Sequence, residues 1–176
     1  MIQEQLLPET MVKENAITQL MKNYANYNFW ANMTLVNWLK KQPLTLLEQE
    51  VKSSFKSVKA TLIHILQTQE YWFSVISKTE FITNDYQCEV EELFDLFLQQ
   101  SEMLANYIND MDAPALEESI FVQSPWFHSD FQNFEYVMQV FNHSTYHRGQ
   151  IITICHNLGI TGAPMTDYNY YNVNAR

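Results

Sequence analysis

Glycine is nearly absent from this chain: Gly149, Gly159 and Gly162 are the only three among 176 residues. Proline contributes five more. Sandwiches and barrels need frequent turns between short strands, and those turns draw on Gly and Pro. Nucleotide-binding loops need glycines clustered where backbone meets phosphate. This supply supports neither, so the chain is constrained to long helices. All three glycines also lie near the C-terminus, and Gly149 directly follows the run His143-Ser-Thr-Tyr-His147-Arg148.

Hydropathy spacing places the helices. A first segment over about 15–41 carries Ile17, Leu20, Tyr24, Tyr27, Ala31, Leu35, Trp38 and Leu39 at steps of three and four, and Pro43 stops it. Thr45 and Glu48 have the spacing of a capping box. Ser57 is a natural N-cap for a second helix whose inner face is Leu62, Ile65, Leu66, Trp72, Phe73 and Ile76. After a turn at Asn84-Asp85, a third helix over 89–111 opens on Glu89, Glu91 and Glu92, where the helix dipole favours anions. Its apolar face is Val90, Leu93, Phe94, Phe97, Leu98, Leu104 and Ile108, and Pro114 ends it. In residues 115–132, the short runs Ile120-Phe121-Val122 and Trp126-Phe127 predict a small hairpin or ordered loop. A fourth helix spans 133–158, with Gly159 at C′. The tail from Gly162 is expected to pack on the surface without regular structure. The fold class is therefore all-α: an antiparallel four-helix bundle with a short β-like insert between the third and fourth helices. It forms one domain over 1–176, with its core at about 15–168.

The formal charge is −10. Nucleic-acid binding needs a basic stripe, and the densest basic stretch, Lys52, Lys56 and Lys59, reads as a solvated helix edge. No apolar run reaches the roughly 20 residues that span a bilayer. The acidic N-terminal segment MIQEQLLPETMVKEN has neither a basic n-region nor an apolar h-region. A cytoplasmic protein with no nucleic-acid or membrane partner is the expectation, with Cys88 and Cys155 reduced.

Chemistry concentrates in the histidines. His143 and His147 sit one turn apart on the fourth helix, about 40° from each other around its axis. Two imidazoles so placed can converge on one metal ion. A tight site needs a third ligand, and His64, inside the second helix between Ile63 and Ile65, is the natural candidate. His64 is equally readable as a hydrogen-bonded core residue. His156 lies round the helix from this pair, where a capping or dipole role suits it, and nothing requires His128 of the insert. Gln150 shares the ligand face, as a contact behind a ligand or to substrate, or as a packing amide. Tyr71, on the His64 face, either hydrogen-bonds near the site or fills the core. Arg148 points away and reads as a salt bridge to another helix or to a dimer partner. A glycine inside a helix needs a reason, and close approach of a neighbouring helix is the expected one for Gly149.

The run His143-Ser144-Thr145-Tyr146-His147-Arg148-Gly149-Gln150 resembles the HxxxHRGQ signature of the DinB/YfiT-like metal-dependent bundle proteins. Tyr27-Asn28-Phe29-Trp30-Ala31-Asn32 is similar to that family's first-helix pattern. The stretch from Ser57 to Leu66, followed by Glu70 and Trp72, resembles its second-helix pattern. Gly159 with Pro164, Thr166 and Asp167 looks like its closing segment. The resemblance implies a three-histidine metal site at His64, His143 and His147, a divalent ion such as nickel or zinc, and a homodimer. It also implies a small-molecule substrate, with a low-molecular-weight thiol as co-substrate in the thiol-S-transferase branches. A metal-dependent enzyme of that type is the first reading. A hydrolase using a metal-bound hydroxide, or a non-enzymatic dimeric bundle of stress response, are the alternatives.

Overall fold

The computed structural model describes residues 15–125 and 127–176. The acidic N-terminal segment and Trp126 lie outside the described residues. Four long helices make the body: α1 (Ala16–Leu39), α3 (Val58–Ser77), α4 (Val90–Asp110) and α6 (Asn133–Asn157). Three short helices, α2 (Leu44–Glu48), α5 (Ala113–Glu117) and α7 (Tyr168–Asn174), and one hairpin, β1 (Ser119–Gln123) with β2 (His128–Gln132), complete it.

Local chemistry sets most helix ends. The side chain of Asn15 accepts from the Thr18 N–H to start α1, and Ser57 accepts from the Ala60 N–H to start α3. At the N-terminus of α6, Glu135 accepts from the Gln132 N–H. Its C-terminus closes on Gly159, whose φ of 79° suits a residue without Cβ. There the Gly159 N–H donates to the His156 carbonyl and the Ile160 N–H to that of Cys155. The spacing of Thr45 and Glu48 does not make a capping box. Pro43 occupies the N-cap position, and Glu48 instead pairs with Lys59 at 2.6 Å.

Contacts between named residues fix the helix directions. Lys40 meets Asp95 while Asn26 meets Asn109, so α1 and α4 are antiparallel. His64 meets His143 while Trp72 stacks on Tyr136, so α3 and α6 are antiparallel. Along α1 and α6, by contrast, Tyr24 meets Phe141 and Asn32 meets Arg148, so that pair runs the same way. The α3–α4 pair does too, with Gln69 against Ser101 and Phe73 against Tyr107. Parallel neighbours require a crossover, and residues 78–89 run back along α3, with Tyr86 and Asn84 hydrogen-bonded to Glu70.

The core has two apolar halves. Leu35, Leu39, Leu62, Ile65, Phe94, Phe97 and Ile154 fill one. Met21, Ile76, Leu104, Ile108, Val140 and Phe141 fill the other. Between them lies a buried polar layer in which Gln69, Ser101, Asn32, Arg148 and Asn28 are joined by hydrogen bonds.

Three expectations need correction. Ile17 and Leu20 are exposed, while Thr18, Met21 and Ala25 are buried. The aromatic and leucine spacing at the start of α1 is therefore one position out of phase with its packing. The tail is helical in α7, because Asp167 caps it by accepting from the Tyr170 N–H and Tyr171 packs on Tyr27. The second strand is the polar His128–Gln132, with Phe127 just before it, since it needs only one inward face.

Candidate metal centre

The antiparallel register of α3 and α6 brings His64 opposite the His143–His147 pair. The Nε2 of His143 lies 3.0 Å from that of His64 and 3.1 Å from that of His147. Two imidazole nitrogens bound to one ion at about 2.0–2.1 Å are themselves about 3 Å apart, so these spacings match a shared ion. His64, His143 and His147 form a cluster that can hold a metal ion, with ligand atoms within 4.8 Å of one another. His147 is buried, whereas His64 and His143 are half-exposed. Solvent therefore reaches part of His64 and His143.

Hydrogen bonding sets the direction of the lone pairs. Gln150 Nε2 donates to Ser53 Oγ at 3.0 Å, which turns its Oε1 toward His147 Nδ1 at 2.8 Å. With Oε1 facing it, the His147 Nδ1 carries the proton in the tautomer this orientation favours, which leaves Nε2 free to face the centre. Burial, then the neighbouring imidazoles, pushes the His143 pKa down to about 4; burial and His147 lower that of His64. Both are neutral near pH 7, the form that metal ligation requires. His143 Nδ1 is buried without a hydrogen-bond partner. A group of neutral imidazoles with converging lone pairs is poorly satisfied by itself and well satisfied by a cation.

Two residues of the segment before α3, which the sequence did not single out, complete the surroundings. Phe55 stacks on His64 with ring centroids 4.2 Å apart and meets His147 edge-on at 5.4 Å. Ser53 anchors Gln150. Neither has ligand chemistry, and only their nearness to the Ser57 cap could have pointed to them. Tyr146 lies edge-on to His147 from the exposed side.

The other predicted residues fall as follows. Gln150 is within hydrogen-bonding distance of His147 Nδ1. Tyr71 packs edge-on against Trp72 and Phe81, and its phenol pKa is raised by burial. His156 is in the last turn of α6, and His128 stacks on Phe121 at the hairpin. Cys88 and Cys155 are free thiols, with burial pushing Cys155 up to about 11.

Arg148 does reach another helix, but through amides instead of a carboxylate. It is only 2% exposed. Its Nη1 donates to Asn28 Oδ1 and Asn32 Oδ1, each at 2.8 Å, and its Nη2 to Thr145 Oγ1 at 2.7 Å and Tyr27 Oη at 3.3 Å. The guanidinium therefore clamps α6 to α1 beside His147. A Cβ built on Gly149 would meet nothing within 4 Å, so no neighbouring helix explains that glycine.

Residues 11–175 match the DinB family. The chain is 33% identical over 158 residues to Protein DinB of Bacillus subtilis (strain 168), covering 82% of this chain and 89% of that relative. Its fold resembles the crystal structure of a DinB-like protein from Bacillus subtilis, with a TM-score of 0.58 and 12% identity over 87% of this chain and 99% of the other. The chain belongs to the DinB family.

Proposed function

We propose that this DinB-family chain is a metal-dependent enzyme of thiol-S-transferase type. In this reading His64, His143 and His147 hold a divalent ion, nickel or zinc, with a coordination position left open. The observation that carries it is the convergence of three Nε2 atoms, with the His147 proton held away on Nδ1 by Gln150. Three neutral nitrogen ligands and solvent access are the pattern of a catalytic centre, since structural zinc sites close with four protein ligands. A divalent ion there would supply a thiol held as its nucleophilic thiolate at neutral pH.

The chain's own residues do the rest. Gln150 keeps the proton on His147 Nδ1 and so keeps Nε2 a ligand. Phe55 covers the face of His64, meets His147 edge-on and limits water on that side. The half-exposed edges of His64 and His143 leave an approach for a low-molecular-weight thiol and a small electrophile. A cytoplasmic homodimer belongs to the same reading, and the exposed Ile17 and Leu20 of α1 offer apolar surface to a second copy.

Elemental analysis of the purified chain and of its His64→Ala and His147→Ala variants tests the site. Stoichiometric metal in the parent and its loss in both variants is the expected result; full retention by both refutes the assignment. Turnover of the metal-loaded protein with thiol–electrophile pairs, against ester substrates, then tests the reaction. Ester hydrolysis without thiol transfer would overturn the transferase reading.

A further inference from the structure

A cavity of about 270 Å³ opens between the hairpin and the α3–α6 pair. Three aromatic side chains, Trp72 of α3, Tyr136 of α6 and Phe127 before β2, gather at its walls. Trp72 stacks with Tyr136 at 5.5 Å and with Phe127 at 6.1 Å, both at 24°. Phe131, on the inward face of β2, lies half-exposed at its edge. The volume is near the lower end for ligand sites, which suits a molecule with one ring. The single charged residue among those lining it is Glu135, and no cation joins it. Trp72 and Tyr136 are buried and stacked on other rings, so the aromatic surface exposed there is that of Phe127 and Phe131. With the Glu135 carboxylate it favours a ring bearing a positively charged group, through cation–π attraction and an ion pair.

The cavity also lies in line with the histidines. Gln139 lines it one helical turn before His143, and Trp72 stands eight residues beyond His64 on the antiparallel helix. Eight residues of helix span about 12 Å. Cavity and histidine cluster therefore lie along the same pair of helices, about 12 Å apart.

We propose that this cavity binds an arylalkylammonium, a ring with a protonated amine on a short alkyl arm, and that it holds the ring of a substrate whose reactive end reaches His64 and His143. The second half rests on the metal reading above; the first does not. The test uses the full chain with metal chelated, titrated with benzylamine, and with phenylacetate as the same ring bearing the opposite charge. Benzylamine is expected to bind saturably by ligand-observed NMR. Phenylacetate is expected to bind more weakly, and Glu135→Gln, which keeps the helix cap, to reduce benzylamine affinity by about two- to fivefold, the worth of an exposed ion pair. Ser129→Leu fills the cavity from β2 and should abolish binding. Gln139→Phe, at an exposed helix position, blocks the same space and serves if Ser129→Leu does not fold.

Equal affinity for the two ligands, undiminished binding by the filled variants, or no saturable binding of benzylamine overturns the cavity assignment. Loading the parent with Co²⁺ tests this spacing, because a paramagnetic ion about 12 Å away broadens the benzylamine resonances. Cobalt bound without broadening overturns the placement. Benzylamine bound with no cobalt taken up overturns the metal reading and leaves the cavity's ligand class standing.

Discussion

Replacing Arg148 by Met tests whether the buried guanidinium holds α6 in place. Methionine refills most of the apolar stem and removes the charge and its donors. Two opposing terms then compete. Desolvating an isolated guanidinium costs several kcal/mol, so its removal relieves the folded state of that penalty. Against this, Asn28 Oδ1 and Asn32 Oδ1 lose their donor in the core. Each buried acceptor left bare costs about 1–3 kcal/mol. Asn32 cannot rotate its amide to compensate, because its Nδ2 already donates to Ser101 Oγ, which is bonded in turn to Gln69. Asn28 Nδ2 has no partner to begin with. The acceptors outweigh the relief, and a net loss of about 2–4 kcal/mol is expected, a large share of the 5–15 kcal/mol that holds a domain. Urea denaturation of the chelated protein measures it, with an unchanged slope showing that the midpoint shift is stability. Adding Asn32→Leu should recover part of the loss, because an apolar pair leaves no orphan. A loss below about 0.5 kcal/mol in Arg148→Met, the range of an ordinary surface substitution, would refute the clamp.

Gln150→Leu should lower metal affinity by about 10–100-fold, the usual effect of removing a ligand's hydrogen-bond partner. Equilibrium dialysis at fixed pH reads it, and unchanged affinity would remove Gln150 from the site. Gly149→Ala should stabilise the protein by about 0.5–1 kcal/mol, since the added methyl meets no atom and helix propensity improves; a fall in thermal midpoint would contradict the open space around it. In the chelated protein, His143 and His64 have pKa values below those of the unfolded chain. The unfolded state therefore binds more protons, and stability is lost as pH falls from about 6.5, levelling off below about 4. The urea midpoint should drop across that window in the parent and drop less in His143→Gln; parallel curves would count against the burial of His143.

Much of the fold and the centre was legible because it depends on neighbours in sequence. Ser57 and Gly159 bound their helices through hydrogen bonds that span a few residues, so their types suffice to place α3 and α6. The pairing of His143 with His147 is a property of one helix turn. The contact of Gln150 with His147 was legible for the same reason, since the two lie three residues apart on one helix. The out-of-phase start of α1 was not, because large apolar residues at Ile17 and Leu20 dominate a periodicity that packing does not follow. The seven-residue helix α7 lay in a tail whose asparagines and aromatics suggest no period, and its Asp167 cap and the contact with Tyr27 decide it.

The sequence by itself determined that the chain is helical, where its long helices run, and that His143 and His147 share one face of a helix. Each of those follows from residue type and spacing along a single helix. Only the tertiary structure decided what Arg148 binds, since its partners Asn28 and Asn32 lie 120 and 116 residues away on a helix that runs parallel to its own. It alone placed Phe55 against the histidines and opened a cavity between the hairpin and the α3–α6 pair. Those arrangements depend on which helices are neighbours and in what direction they run, and no short-range pattern encodes that.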